Sequence, residues 1–257
     1  MTLLTTPNEL RFRHWSDWTG FVCYFSLAGL IAWRAPRLAI ALLPAITHEL
    51  FVAITFLLRR PAQSRLSDFG PQAAAYGGTF LFPLFIAVAA QWKPQWLRMT
   101  AGTAFAVAGF LVWVAGTVLA FLTLWHMRRS FSLTPQARQP VFRGPYRIAR
   151  HPMYLAYILQ YGALVFTHLS PPLLAAFLLW LGLVLARIHY EEKVLLAAFT
   201  EYGIYRRSVA MFGIRLNCHA KISSISWKTT NVPPADALGG TERIGQAAGT
   251  ADSLDGR

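Results

Sequence analysis

Long apolar stretches alternate with short basic loops along most of this chain. Six stretches approach the length of about 20 residues that an apolar helix needs to cross a hydrocarbon core of roughly 30 Å. The pattern therefore predicts an all-α, multi-spanning membrane protein with about six transmembrane helices. The first stretch and the last two are short, and the first could instead lie along the membrane interface. With soft edges, the stretches are Trp18–Trp33, Leu38–Leu58, Ala73–Trp92, Gly102–Trp125, Met153–His168 and Leu173–Ile188.

Composition supports the membrane assignment. The chain has 257 residues, of which 55% are hydrophobic, and its mean hydropathy of +0.39 is too high for an ordinary soluble domain. No cleaved signal peptide is expected, because polar residues precede Trp18 and no small-residue cleavage pattern follows. The two cysteines, Cys23 and Cys218, are too few for a disulfide framework or a metal site, so we expect no metal.

The positive charge of the chain follows its loops. A net charge of +13 would indicate nucleic-acid binding in a soluble protein, but in a membrane protein it reflects cytoplasmic loops rich in Lys and Arg. The loop between the fourth and fifth stretches is the most basic, with Arg128, Arg129, Arg138, Arg143, Arg147 and Arg150. We therefore place this loop and both termini in the cytoplasm, with membrane lipids and no nucleic acid as partners.

Two ionisable residues, His48 and Glu49, fall near the middle of the second stretch. Such groups are costly in a bilayer and usually face the bundle interior or a wet cavity. They can serve as a polar group on the substrate side, or they can make a structural hydrogen bond to a neighbouring helix. The structural role is the commoner one, and the sequence names no partner for either.

The loop before the fifth stretch has the features of an anion site. It reads Gly-Pro-Tyr-Arg-Ile-Ala-Arg-His-Pro-Met-Tyr from Gly144 to Tyr154. Pro152 has no N–H and fits the first turn of a helix, so the free donors at that helix start should be the amides of Met153, Tyr154 and Leu155. The positive end of the helix dipole favours an anion there. Further positive charge comes from Arg147, Arg150 and His151.

A second charged cluster ends the sixth stretch, where Arg187 precedes Glu191 and Glu192. The short connection Ser170-Pro171-Pro172 predicts an antiparallel hairpin of the last two stretches. That hairpin would bring both clusters to one membrane face. An anion site beside a carboxylate pair suits a small zwitterionic cofactor.

Beyond Ile188 the chain is amphipathic, and its apolar residues predict a helix along the membrane surface that closes over the site. Those residues are Val194, Leu195, Ala198, Phe199 and Tyr202. The polar end of the chain predicts a disordered tail. We therefore expect N-terminal helices over residues 1–126, a cofactor-binding region over 127–216 and the tail over 217–257.

Together, these residues resemble a known family. The order Gly144-Pro-Tyr-Arg-x-x-Arg-His-Pro-x-Tyr154, an apolar hairpin, Arg187, Glu191-Glu192 and Phe199-x-x-Tyr-x-x-Tyr205 is similar to the isoprenylcysteine carboxyl methyltransferases. That broad family includes phospholipid N-methyltransferases and thiol S-methyltransferases. The resemblance covers residues 128 to 209. It implies S-adenosylmethionine as methyl donor and a lipidic or small hydrophobic acceptor.

The resemblance also implies site residues. Arg187 would face the substrate, and Arg187 with Glu191 would carry the catalysis. Two departures from the family pattern are Ala156 in place of glycine and Ala210 in place of proline. The cofactor contacts would be Arg138, Gln139, Pro140, Val141, Tyr146, His151, Pro152, Met153, Tyr154 and Glu191. Without the resemblance, Arg187 and Glu191 could be a surface pair one helical turn apart.

Two other functions stay open from the sequence. One is a membrane reductase of the sterol type, which uses NADPH and is similar in its C-terminal region. The other is a transporter or scaffold without catalysis, for which only His48 and Glu49 lie near a central site. The sequence does not decide whether the acceptor atom is oxygen, nitrogen or sulfur, nor the oligomeric state.

The arginine distribution generates a topology prediction. A reporter fused after Gln136 should be found in the cytoplasm, and one fused at Ser170 on the opposite side, because the basic loops stay inside. Protease protection of each reporter in sealed vesicles measures this. A Ser170 reporter on the cytoplasmic side would contradict a spanning hairpin and the site built on it.

Overall fold

The computed structural model describes residues 21–26, 29, 39–58, 64–65, 68–97 and 102–213. Residues 21–26 are helical, and six further helices follow in the described ranges. They are α1 (Ala39–Leu58), α2 (Phe69–Trp92), α3 (Thr103–Met127), α4 (Pro152–His168), α5 (Pro171–Ala198) and α6 (Tyr202–Ser208). The expected mostly helical architecture is confirmed. The predicted tail lies outside the described residues.

Extended structure is limited to a short pair in the described part of the chain. Strand β1 (Ser64–Arg65) lies antiparallel to β2 (Gln136–Ala137), with Ser64 opposite Ala137. Two 3-10 turns, Pro94–Leu97 and Gly144–Arg147, occupy connections between helices. The pairing of β1 with β2 ties the loop after α3 to the loop before α2.

Three described helical segments are long and apolar enough to cross a membrane. They are Phe69–Ala89, Thr103–Met127 and Pro171–Ala198. Together they identify a membrane protein. Helix α4 has 17 residues, slightly fewer than a straight crossing of about 30 Å requires. Six crossings, and the side on which the termini lie, stay predictions.

The helices form two closely packed pairs, α3 with α4 and α2 with α5. Small residues allow the approach, since Gly116 lies against the Ala156 carbonyl. In the other pair, the Trp180 indole N–H donates to the Gly78 carbonyl at 2.9 Å. The expected hairpin neighbours α4 and α5 follow each other in the chain, yet each has its larger contact with another helix. A cleft can therefore lie between the two pairs.

Helix α5 is longer than the sequence pattern predicted. It continues without interruption from Pro171 to Ala198, 28 residues, so Val194 and Leu195 belong to it and not to a separate surface helix. The helix ends where Phe199 adopts an extended conformation, and the separate helix is only the seven-residue α6. The charged residues that seemed to end the apolar stretch, Glu191 and Glu192, instead have cationic partners inside the fold.

The close approach of α3 and α4 generates a stability prediction. In a Gly116→Ala variant the new Cβ would lie 2.9 Å from the Ala156 oxygen and 3.0 Å from Gln160 Cγ. Overpacking of this kind costs about 1–3 kcal/mol, more than the roughly 1 kcal/mol by which alanine favours a helix. We expect a lower unfolding temperature in detergent, measured by fluorescence.

The matched control is Gly182→Ala in α5, where no described residue outside the adjacent backbone of α5 comes within 4 Å of the added Cβ. This variant should unfold at the wild-type temperature or slightly above it. Equal unfolding temperatures for Gly116→Ala and the wild type would show that the two helices can separate at little cost.

Candidate active site

A cleft opens between the two helix pairs and continues under the loop before α4. The empty space in it, open solvent at the mouth included, is about 1230 Å³. One end is lined by the helices, with Tyr24, Glu49, Thr79, Tyr157, Tyr161 and Trp180. The other end is lined by loop residues and by Tyr202 and Tyr205 of α6. Loop residues and helix residues therefore line one continuous cleft.

The structure brings nearly all of the predicted site residues to this cleft. Arg187 and Glu191 line it, as do Arg138, Gln139, Pro140, Val141, Tyr146, His151, Met153 and Tyr154. Pro152 is buried in the first turn of α4 and does not line the cleft. The contacts of these residues with a cofactor or substrate stay predictions.

Glu191 joins the two halves of the site. Its Oε1 accepts a hydrogen bond from the Tyr154 hydroxyl at 2.5 Å and another from Arg187 Nε at 3.1 Å. Tyr154 belongs to α4 and Arg187 to α5, so one carboxylate oxygen links the two helices. Its Oε2 has no partner among the described residues and is available to a ligand.

Arg187 is a buried crosslink rather than a surface charge, with only 5% of its area exposed. Nη1 donates to the Thr79 hydroxyl at 2.5 Å and to the Ala75 carbonyl at 3.3 Å. Nη2 donates to the Ser132 carbonyl at 3.0 Å. A guanidinium has five N–H donors, so one hydrogen on Nη2 is left for a ligand. The surface-pair interpretation of Arg187 and Glu191 is therefore wrong.

Glu192, for which the sequence predicted no role, is the centre of an ionic cluster. Its Oε1 lies 3.1 Å from His151 Nε2 and 3.3 Å from Arg150 Nε. Its Oε2 lies 3.1 Å from Arg206 Nε of α6. Because Glu192 is itself buried, this contact with two loop residues and α6 fixes the loop against the end of α5.

The predicted anion site is less positive than the sequence indicated. Arg150 and His151 are compensated by Glu192, and Arg147 is exposed and away from the cleft. The prediction of a free amide at Leu155 is wrong, because it donates to the His151 carbonyl at 3.1 Å. The fourth residue of a helix finds an acceptor in the residue before the first turn. Met153 and Tyr154 supply the remaining first-turn amides.

Backbone contacts hold the loop in place. The amides of Arg150 and His151 donate to the carbonyls of Ala210 and Met211, at 2.9 and 3.0 Å. Gly144 adopts φ +59° directly beside the His126 ring, where a Cβ would collide with Nε2. Only glycine combines that conformation with that approach.

A buried tyrosine connects α6 to the same loop. The Tyr205 hydroxyl donates to the Tyr146 carbonyl at 2.7 Å. Burial raises the pKa of Tyr205, so its hydroxyl stays protonated and remains a donor. The same desolvation raises the pKa of Tyr146. The cleft wall formed by these phenols is therefore neutral.

His48 and Glu49 lie within hydrogen-bond distance of each other, and among the described residues neither bonds to a neighbouring helix. His48 Nδ1 lies 3.3 Å from Glu49 Oε1, and the His48 ring meets Phe121 and Tyr157 edge-on, at 5.6 and 5.8 Å between centroids. Glu49 lines the cleft. The structural hydrogen bond to another helix, which was the commoner expectation, is not found among the described residues.

Several residues of the cleft had no signal in the sequence. Thr79 and Tyr24 come from N-terminal helices that carry no recognisable motif, and only the fold brings them to Arg187 and the loop. Glu192 had a signal, as a second carboxylate beside Glu191, but its partner on α6 could not be named. In the ranges that the structure describes, no group of three or more His, Cys, Asp or Glu side chains is arranged to hold a metal ion.

Comparison with known proteins identifies one relationship. A family model described as phospholipid methyltransferase matches residues 97–202, from the turn before α3 to the start of α6. No curated protein and no solved structure matches the chain significantly. The match agrees with the expected membrane methyltransferase family, and it does not favour the reductase or the transporter.

The contacts of Glu192 generate the next prediction. Glu192→Gln keeps the shape but removes the charge that Arg150, His151 and Arg206 share. Removing one member of a buried ionic group costs about 3–5 kcal/mol, and less here, because half of the Arg206 side chain is exposed. We expect a lower unfolding temperature and faster proteolysis of the loop before α4.

The control for Glu192→Gln is Lys193→Gln, which removes an exposed charge from the next position. It should behave like the wild type. If both variants lost the same stability, general charge at the end of α5 would account for the effect and the specific cluster would not.

Proposed function

Because residues 97–202 match the model of the phospholipid methyltransferase family, we propose that this protein transfers a methyl group from S-adenosylmethionine to a lipidic or small hydrophobic acceptor. The observation that carries the proposal is the cleft, which combines a loop end with many polar and charged side chains and a helical end lined mainly by aromatic side chains. A water-soluble methyl donor and a membrane-borne acceptor require a site that both can enter.

The residues at the polar end fit the proposed donor. Its ammonium and ribose hydroxyls are hydrogen-bond donors, which suit the free Oε2 of Glu191. Its carboxylate suits the amides of Met153 and Tyr154 at the positive end of α4. The tyrosines Tyr146, Tyr202 and Tyr205 supply buried aromatic surface beside these groups. The chemistry of these groups supports S-adenosylmethionine as the methyl donor.

The chemistry asked of the protein is modest. Bound S-adenosylmethionine supplies a methyl group already activated by a sulfonium. The side chains of the cleft then have to orient the acceptor and exclude water, which are effects of proximity and electrostatics. Arg187 would orient an acceptor through its remaining Nη2 hydrogen, while its other donors bind Glu191, Thr79 and the Ser132 carbonyl.

The first test of this function is cofactor binding. Detergent-purified protein should bind S-adenosylmethionine, or its demethylated product, and not NADPH. Titration calorimetry measures both. Saturable NADPH binding without binding of either sulfur compound would contradict the methyltransferase and favour a reductase.

Glu191 and Arg187 are predicted to serve different ligands. Glu191→Gln weakens a charge-assisted hydrogen bond worth about 1.5–3 kcal/mol, so S-adenosylmethionine affinity should fall roughly ten- to a hundredfold. Arg187→Lys loses the planar fork, so cofactor binding should stay near normal while methyl transfer falls through KM, kcat or both. A labelled-methyl assay with prenylcysteines, aminophospholipids, thiols and fatty acids measures transfer.

Asp68→Asn is the control, since Asp68 is an exposed carboxylate outside the cleft. It should change neither the affinity for S-adenosylmethionine nor the rate of methyl transfer. Loss of cofactor binding in Arg187→Lys with normal binding in Glu191→Gln would reverse the two roles. A lower unfolding temperature in Arg187→Lys with unchanged transfer would leave Arg187 a purely structural crosslink.

A further inference from the structure

The helical end of the cleft holds a carboxylate with one unpartnered oxygen. Glu49 lines this end, and 18% of its side chain is exposed. Its Oε2 is buried and has no hydrogen-bond partner among the described residues. Buried polar atoms in native structures are nearly always satisfied, so such an atom requires an explanation.

His48, the residue before Glu49, also has a buried polar atom without a partner within the described ranges. His48 is 5% exposed, its Nδ1 faces Glu49 Oε1, and its Nε2 has no partner in the part of the chain that the structure describes. Two adjacent residues on α1 therefore keep unmet hydrogen-bonding capacity in the middle of an apolar helix. A group that brings hydrogen-bond donors into the cleft would satisfy the carboxylate.

Aromatic rings surround this carboxylate. Glu49 lies close enough to the phenols of Tyr24, Tyr157 and Tyr161 to interact with each electrostatically. All three line the cleft, and Tyr157 and Tyr161 stack at 6.3 Å between centroids. Aromatic faces attract cations, most strongly where water is excluded.

The basic side chains near this end of the cleft are His48 and Arg187. Arg187 also interacts with Tyr24 and Tyr157, so a positive group lies in the neighbourhood. Its Nε, however, is engaged by Glu191, and no arginine or lysine of the described residues forms an ion pair with Glu49. Glu49 Oε1 has the His48 imidazole at 3.3 Å, and Oε2 has no partner among the described residues. A cation that carries N–H donors is the ligand that suits this free oxygen.

We propose that Glu49, with Tyr24, Tyr157 and Tyr161, forms the recognition site for the positively charged amino group of the methyl acceptor. The inference rests on the proposed function. Glu49 and Tyr24 lie outside residues 97–202, which the family model matches, whereas Tyr157 and Tyr161 lie within them on α4. The proposal therefore gives the N-terminal part of the chain a share in acceptor selection. An acceptor with a free carboxylate would be repelled by Glu49, and a neutral thiol would leave the carboxylate uncompensated.

The same carboxylate can prepare the amine. An ammonium nitrogen has no lone pair for a methyl group, so it must first lose a proton. The N–H bond breaks, its electron pair stays on nitrogen, and the proton forms an O–H bond with Glu49 Oε2. The amine and the carboxylic acid are then both neutral, which suits an apolar cleft.

Binding without any methyl donor tests this site. Dodecylamine and 1-dodecanol, which share a chain but differ in charge, are titrated into protein in dodecyl maltoside. The wild type should prefer the amine, and Glu49→Gln should lower amine affinity tenfold or more without changing the affinity for the alcohol. Glu49→Asp, which keeps the charge, should retain part of the amine affinity that Glu49→Gln loses.

Glu191→Gln supplies the matched control at the other end of the cleft. It should lower S-adenosylmethionine affinity and leave amine affinity unchanged, whereas Glu49→Gln should do the reverse. Unchanged amine affinity in Glu49→Gln, or equal losses for amine and alcohol, overturns the site. Amine selectivity that depends on Glu49 without any S-adenosylmethionine binding supports the site and refutes the methyltransferase proposal instead.

Discussion

The structure depends on the burial of one guanidinium. Arg187 cannot leave water unless its donors find acceptors, because an unpaired buried charge costs several kcal/mol. Its acceptors come from α2, from the segment after α3 and from Glu191 on its own helix. Satisfying this one side chain therefore fixes α2, α5 and the loop relative to one another. The cleft is the space that this arrangement leaves.

Glu191 and Glu192 are neighbours in sequence but have opposite surroundings. Neighbouring residues on a helix point about 100° apart, so one carboxylate faces the cleft and the other faces the loop. Glu191 retains a free oxygen toward the cleft, while both oxygens of Glu192 contact cationic side chains. A structural carboxylate thus holds the loop, and its neighbour is left to bind a ligand.

Much of this arrangement could be predicted from the chain itself. Hydropathy placed α2, α3 and α4 to within a few residues, since an apolar helix needs a minimum length to cross a bilayer. Pro152 marked the start of α4 because proline fits only the first turn of a helix. The arginine and glutamate of α5 were expected at the cleft because residues four apart share a helix face.

The errors concern interactions between elements. The local sequence pattern predicted that α5 ends at its charged residues, because exposed charges usually mark the end of an apolar stretch. In the structure the helix continues, and Glu192 forms ion pairs with Arg206 of α6 and with Arg150 of the loop. The same ion pairs reduce the positive charge expected at the anion site. His48 and Glu49 could be located by sequence, but Tyr24 and Tyr157 join them only through packing. Sequence by itself determined most of the helices and the membrane character, because these follow from local composition and spacing. Tertiary structure decided which charges are compensated, because a charge is balanced by its neighbours in space and not by those in the chain.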